Sequence, residues 1–217
     1  MMKHKLTEQE QHHLDKRVAE AEKRTGSQIV LAVIARSDAY PELPWKAFAL
    51  AAAVAGFAAT LLDRLRADWH TAGTVLFVVA ATLVAGAGSA LLTVVWPGFA
   101  RLFLDRNRAE AESQQYAESL FLKRDLFATK GRTGILLFVS LFERQVIALP
   151  DRQLAQRLGK DDLQSIIGRM TTALARGQVS TALDQGLLGL EEVLSSTAPK
   201  AAAGNELPNS IVQEDGA

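Results

Sequence analysis

The chain has 217 residues, of which 48% are hydrophobic and 22% charged, and its formal net charge is +0. A balanced charge argues against a nucleic-acid partner, because non-specific binding to a phosphate backbone needs an excess of Lys and Arg. The sequence contains no cysteine, which excludes disulfides, thiolate metal sites and cysteine nucleophiles. Composition alone therefore does not assign the chain to a class of protein, and the assignment depends on where the apolar residues are concentrated.

The first 35 residues predict a helix followed by a buried strand. Thr7 and Glu10 have the spacing of a capping box, and apolar residues at three- and four-residue steps extend the predicted helix from Glu8 to Arg24. Gly26 ends this helix. The next segment, QIVLAVIA at 28–35, is apolar on both faces and rich in β-branched residues, which is typical of an interior strand in an α/β sheet.

Two apolar segments follow, and both are predicted to span a membrane. Residues 74–96 are 23 residues without a charge, and as a helix they would be about 34 Å long, against about 30 Å of hydrocarbon. Residues 46–62 are shorter and rich in alanine, so a core helix remains an alternative for them. Trp45 and Lys46 at their start suit a membrane interface. We predict an antiparallel transmembrane hairpin over 45–97.

Small residues recur at four-residue spacing on one face of each predicted span. Such residues allow helices to pack closely, although the high alanine content alone would also produce the pattern. The residues are Ala52, Gly56 and Thr60 in the first span and Ala81, Ala85 and Ser89 in the second.

The distribution of Lys and Arg predicts the orientation of the hairpin. Five of these residues flank its outer ends and two lie in the connecting loop, and the positive-inside rule places the richer side in the cytoplasm. We therefore predict a multi-pass protein of the cell inner membrane, with two spans, both termini cytoplasmic and the lipid bilayer as one partner. The flanking residues are Arg36, Lys46, Arg101, Arg106 and Arg108, and the loop residues are Arg64 and Arg66.

The rest of the chain predicts further helices and a β-hairpin. A polar helix over 108–127 precedes two strands, 135–141 and 145–149, joined by a three-residue turn. Amphipathic helices begin at Asp161 and Asp162 and again at Val179. The composition then becomes rich in Ala, Pro, Asn and acidic residues, which predicts a disordered tail over 197–217.

Neither the strand before the membrane hairpin nor the β-hairpin after it could bury itself alone, since an isolated β-hairpin is marginally stable. We therefore predict that they share one sheet. Residues 1–44 and 98–196 would then form a single discontinuous α/β domain, with the transmembrane hairpin as an insertion.

The order of these elements resembles the TPM domain family, which includes thylakoid proteins and bacterial membrane-anchored proteins. The resemblance implies a three-layer α/β/α sandwich around a small mixed sheet, here with an inserted two-helix transmembrane hairpin. The segments that carry it are EKRTGSQIVLAVI (22–34), YAESLF (116–121), RTGILLFVSLFERQVIALPD (132–151) and GQVSTALDQGLLGLEEVL (177–194).

The resemblance also implies chemistry, because some family members bind calcium or have acid phosphatase activity. Those members carry acidic and asparagine residues just before the second strand, where this chain has the basic loop Lys130, Gly131 and Arg132. A basic loop is a poor host for a hard cation, so we expect neither a metal nor a cofactor. The three loop residues are candidate ligand-binding residues for an anion. The alternatives are a solvated loop or one that faces anionic lipid headgroups, and we favour these.

Three aspartates are the remaining candidates for catalysis. Asp151 follows the second strand of the hairpin, at a strand end where α/β sites form, and Asp161 and Asp162 begin a helix. Each also suits a helix N-cap or first turn, and we favour this capping role.

Two functions of different classes follow. The first is a membrane-anchored TPM-type domain that acts as a binding or assembly module on the cytoplasmic face, with a protein partner. The alternative is a hydrolase, a divalent-metal-dependent phosphatase with a degenerate metal site, which would use Asp151, Asp161 or Asp162.

Overall fold

The structure is a computed structural model that describes residues 6–65, 72–129, 131–195 and 211–216. The chain divides into two compact units. One unit is Ala39–Arg106, and the segments on either side of it, Met2–Asp38 and Asn107–Ala217, form the other. The second unit is therefore discontinuous in sequence.

Helices and strands are numbered here in chain order. The strands are β1 (Gln28–Ile34), β2 (Gly134–Ser140), β3 (Gln145–Pro150) and β4 (Val212–Glu214). The α-helices are α1 (Glu8–Thr25), α2 (Glu42–Leu65), α3 (Ala72–Val95), α4 (Pro97–Ala100), α5 (Arg106–Lys123), α6 (Arg152–Arg157), α7 (Lys160–Ala175) and α8 (Val179–Ser195), and two short 3₁₀ helices cover Arg101–Phe103 and Leu126–Ala128.

The four strands form one mixed sheet in the order β3-β2-β1-β4. β1 runs parallel to β2 over seven residues, from the pair Gln28 and Gly134 to the pair Ile34 and Ser140. β3 runs antiparallel to β2. The predicted adjacency of the first strand and the β-hairpin is confirmed, although these segments lie about a hundred residues apart in sequence.

Both faces of the sheet are covered, because every residue of β1 and β2 is buried. Alternate residues of the two strands, represented by Leu31 and Leu137, face a core built with α1, α6, α7 and α8. The intervening residues, represented by Ala32 and Phe138, face a smaller core that includes Leu120 of α5. The predicted three-layer α/β/α sandwich around a small mixed sheet is confirmed.

α1 begins and ends where the sequence predicts. The Glu10 N–H donates to Thr7 Oγ1 at 3.3 Å, and the Thr7 N–H donates to Glu10 Oε2 at 2.8 Å. This last hydrogen bond lowers the pKa of Glu10. At the other end Gly26 adopts φ 66°, a left-handed conformation that a glycine accepts without strain.

α2 and α3 pack on each other through small residues. A Cβ on Gly86 would lie only 2.7 Å from the ring of Phe48, so a larger residue at this point would have to displace that ring. Gly56 of α2 faces Thr82 of α3. Both helices are long and apolar enough to cross a membrane, and only 6% of the apolar window of each is buried.

The predicted disordered tail over 197–217 is wrong for residues 211–216. Val212–Glu214 form β4, which runs parallel to β1 from the pair Ala32 and Val212 to the pair Ile34 and Glu214. A strand forms here because the outer edge of β1 would otherwise leave backbone N–H and C=O groups unpaired between two covered faces. Residues 197–210 and 217 of the predicted tail lie outside the described residues.

Side chains from two helices hold this C-terminal segment in place. Gln11 Nε2 donates to Gln213 Oε1 at 2.6 Å, and the Tyr116 hydroxyl donates to Glu214 Oε2 at 2.7 Å. The segment is therefore bonded to the helical layers on both faces of the sheet as well as to β1.

We predict that Tyr116 ionises only at strongly alkaline pH. Partial burial, and then the hydrogen bond to Glu214, raise the pKa of Tyr116 to about 12, against about 10 for a free tyrosine. The folded state thus holds this proton more tightly than the unfolded chain does. The resulting stabilisation is complete below about pH 10 and is lost as the pH rises through the pKa of the folded state.

The measurement is a tyrosinate absorbance titration. Glu214→Gln should shift the late, high-pH step of the titration towards the ordinary pKa of tyrosine. Because the chain has two tyrosines, Tyr40→Phe shows which step belongs to Tyr116. A late step that does not respond to Glu214→Gln would contradict the docking of β4.

Candidate functional site

A cluster of polar side chains lies at the end of the sheet where the parallel strands β1 and β2 both terminate. Ser140 is the last residue of β2, and Ser37 follows β1 by three positions. Glu143 lies in the turn between β2 and β3, and Ser113 belongs to α5. This is the carboxyl end of the parallel pair, the edge at which α/β folds usually place their sites.

The cluster is a continuous chain of hydrogen bonds. The Ser37 N–H donates to Glu143 Oε1 at 2.8 Å, and the Ser140 hydroxyl donates to Glu143 Oε2. The Ser37 hydroxyl donates to Ser140 Oγ at 3.1 Å and lies 3.0 Å from Ser113 Oγ. Because a serine has one hydroxyl proton, Ser113 must donate to Ser37, and the protons all point towards the carboxylate.

Charged residues surround this cluster on the same unit. Arg108 Nη2 lies 2.9 Å from Asp38 Oδ2, and Arg108 Nε lies 3.7 Å from Glu112 Oε1. The Arg36 guanidinium stacks 4.3 Å from the centroid of the Phe142 ring. These contacts fix the loop after β1 against α5 and against the turn between β2 and β3.

The buried cluster is suited to structure rather than to catalysis. Ser113 and Ser140 are 0% exposed and Glu143 is 7% exposed. A carboxylate can activate a serine hydroxyl, but a nucleophile must also reach its substrate. The satisfied hydrogen bonds instead tie the β2–β3 turn to the end of β1 and to α5, as buried polar networks do when every member has a partner.

The sequence did not predict this cluster. Its four members are scattered over a hundred residues, and only the β1–β2 register and the packing of α5 bring them together. The available signal was a serine at the end of the apolar strand ILLFVS followed by a glutamate in a three-residue turn.

Two residues that the sequence singled out for different roles meet at the opposite end of β2. Arg132 Nε lies 3.0 Å from Asp151 Oδ2, so the candidate ligand-binding cation and the candidate catalytic acid form one ion pair. Asp151 is the N-cap of α6, and its Oδ1 accepts from the Arg152 N–H at 2.7 Å. Gly131 is exposed, and Lys130 lies outside the described residues. A ligand-binding role for this loop stays a prediction.

The other two acidic candidates lie in the first turn of α7. Asp162 Oδ2 accepts from the Gly159 N–H at 3.0 Å, while Asp161 is exposed. The geometry of Asp151 and Asp162 is that of helix caps. Within the ranges that the structure describes, no three His, Asp or Glu side chains gather where they could hold a metal ion.

Comparison with known proteins gives a family match and a structural match. Residues 101–193 match the family model of the TPM domain. The NMR structure of the BA42 protein from the psychrophilic bacterium Bizionia argentinensis aligns with a TM-score of 0.60 and 14% identity, over 98% of each chain. No curated protein matches the chain. The structural match shows the fold, and the family match confirms the resemblance drawn from the sequence.

We predict that Glu143→Ala lowers the free energy of unfolding by about 1–3 kcal/mol, because the Ser37 N–H and the Ser140 hydroxyl would be left buried without their acceptor. Glu143→Gln keeps the shape and one acceptor oxygen, so its loss should be smaller. Denaturant unfolding of the full chain in detergent micelles measures both. The exposed Glu118→Ala serves as control, with an expected change within about 0.5 kcal/mol. Equal changes in all three variants would rule out a structural role for the cluster.

Proposed function

We propose that this chain, whose residues 101–193 match the family model of the TPM domain, is a membrane-anchored TPM protein. Its α/β unit would act as a binding or assembly module for a protein partner on the cytoplasmic face of the inner membrane. Two groups of observations support this, one on the anchor and one on the polar side chains at the two ends of the sheet.

The exposed apolar surface of α2 and α3 carries the proposal. Large side chains such as Phe57 (73% exposed) and Val84 (71%) point away from both helices along their length. Soluble monomers rarely expose contiguous apolar surface of this extent. Each helix has 24 residues, about 36 Å of length, which is enough to cross the hydrocarbon core with some tilt.

The charge distribution supports the proposed orientation. Five Lys and Arg residues flank the outer ends of the pair, and two lie at its inner end, Arg64 in the last turn of α2 and Arg66 two positions later in the sequence. Lys46, at the outer end of α2, donates to the Phe103 carbonyl at 3.3 Å, as suits a cation at the edge of the bilayer.

The burial and the bonding of the polar residues favour a binding role over a catalytic one. The Ser and Glu cluster at the carboxyl end of β1 and β2 is buried and satisfied, and Asp151 is engaged by Arg132 and by α6. The α/β unit therefore offers its surface rather than a reactive group. Its exposed loops and sheet edges are what a partner can reach.

We expect the full chain to stay in the membrane fraction after an alkaline carbonate wash. Val84→Arg places a charge in the middle of α3, at a cost of about 2.5–3.5 kcal/mol, and should shift the chain towards the soluble or degraded fraction. Val75→Arg is the matched control, because an arginine near the end of the helix can extend to the interface. A wild-type chain that the wash releases would refute the anchor.

Orientation is tested separately with reporter fusions. A reporter that works only in the periplasm should be active at Gly73 and inactive at the C-terminus. A reporter that works only in the cytoplasm should show the opposite result. The reverse pattern would overturn the cytoplasmic placement of the α/β unit while leaving the anchor intact.

A further inference from the structure

β3 is the outer strand on one side of the sheet, so its second side forms an edge of the α/β unit. β2 lies on one side of β3, and no other strand among the described residues pairs with its second side. Five of its six residues are only partly buried. Pairing on such an edge is usually prevented by charged residues, a bulge or proline, and β3 (QVIALP) has only the final Pro150.

The register identifies which backbone groups face outwards. The Asp151 N–H donates to the Gly134 carbonyl at 2.7 Å, in step with the β2–β3 ladder. Residues of an antiparallel pair alternate between bonding to the partner strand and facing away from it. Val146 and Ala148 therefore direct both their N–H and C=O groups away from β2, and Pro150 offers a carbonyl only.

A groove runs beside this edge, between β3 and α5. One cavity of about 500 Å³ lies at the Gln145 end and is lined by polar and apolar atoms in similar proportion, and one of about 300 Å³ lies at the Pro150 end and is mostly apolar. The first is lined by Asn107, Glu110, Ala111, Gln114, Gln145 and Ile147, and the second by Glu118, Phe121, Leu122, Leu149 and Pro150.

The cavities are spaced like alternate side chains along a β-strand. Gln145, Ile147 and Leu149 are alternate residues of β3 and line the groove on one face. In a strand added beside β3, alternate side chains would lie next to these residues on the same face of the sheet. The first and the third of those side chains would be about 13 Å apart.

The charge of the groove selects the occupant. Its lining contains Glu110 and Glu118 and neither lysine nor arginine, and both glutamates are exposed. A segment that fills both cavities therefore needs a basic side chain at the Gln145 end and an apolar side chain at the Pro150 end.

We propose, building on the binding role given above, that this groove binds an extended segment of a partner protein, which adds to β3 as an antiparallel strand. Because antiparallel pairing is the more stable arrangement, the apolar residue comes first in the segment and the basic residue four positions later. Main-chain bonds to Val146 and Ala148 supply affinity, and the two cavities supply specificity.

A second copy of this chain fits the groove less well. β3 carries no basic side chain between Gln145 and Pro150, so an edge-to-edge dimer would leave the glutamates of both copies without a counter-charge. An acidic peptide is disfavoured for the same reason.

The test uses the full chain in detergent micelles and a labelled peptide, acetyl-Thr-Leu-Thr-Val-Thr-Arg-Thr-amide, which places Leu, Val and Arg on one face of a strand. Fluorescence anisotropy should show saturable binding. A peptide with Glu in place of Arg should bind at least tenfold more weakly.

Two pairs of variants separate the contributions. Ala148→Pro removes an outward N–H without breaking a bond to β2 and should weaken binding at least tenfold, while Ala148→Thr keeps that N–H and should bind nearly as the wild type does. Changing both Glu110 and Glu118 to Lys should reverse the preference, so that the Glu peptide binds better than the Arg peptide. Unchanged thermal unfolding confirms that each variant is folded.

Three results would overturn the inference. They are no saturable binding by the wild type, equal binding by the two position-148 variants, and a dimer that Ala148→Pro converts to a monomer in light scattering. None of these results concerns the anchor, which the carbonate wash tests independently. A chain that remains in the membrane but binds no peptide would refute the groove alone, and a soluble chain that binds the peptide would refute the anchor alone.

Discussion

The structure of this protein depends on the parallel pairing of β1 with β2. Seven consecutive residue pairs align strands that are separated in sequence by the whole apolar helix pair. Both strands are buried on both faces, so each supplies half of its side chains to the core under α1, α7 and α8 and half to the core under α5. Without this pairing neither helical layer would have an apolar surface to cover, and the cluster around Glu143 would not assemble.

Patterns that are local in sequence predicted most of the fold. The capping box of Thr7 and Glu10 predicts the start of α1, and the apolar run that begins at Gln28 predicts a strand covered on both faces. β4 could not be predicted in this way. Only Ile211 and Val212 favour a strand by themselves, and the polar and acidic residues after them do not, so this three-residue strand depends on pairing with the open edge of β1. The TPM resemblance contributed the sandwich and could not reveal a C-terminal strand.

The candidate site shows the same division between local and long-range information. Helix capping by Asp151 was predictable from its position after Pro150, whereas its ion pair with Arg132 depends on how the two ends of the β-hairpin meet. The hydroxyl and carboxylate cluster unites residues from four segments, none with a motif of its own. By fixing the turn before Gln145 it also holds the start of β3 against the end of β2. The two edges of the sheet differ, since the short strand β4 forms one, and β3, which borders a groove, forms the other.

The order of the elements also constrains how the protein is made. β1 leaves the ribosome before both apolar helices, but its neighbour β2 follows about a hundred residues later. At typical rates of about 5–20 residues per second, that interval lasts about 5–20 seconds. During this time a strand that is apolar on both faces has no partner strand while the apolar helix pair is synthesised. The exposed apolar side chains of nascent β1 must therefore be kept from aggregating until β2 emerges, which makes the timing of synthesis a constraint on folding.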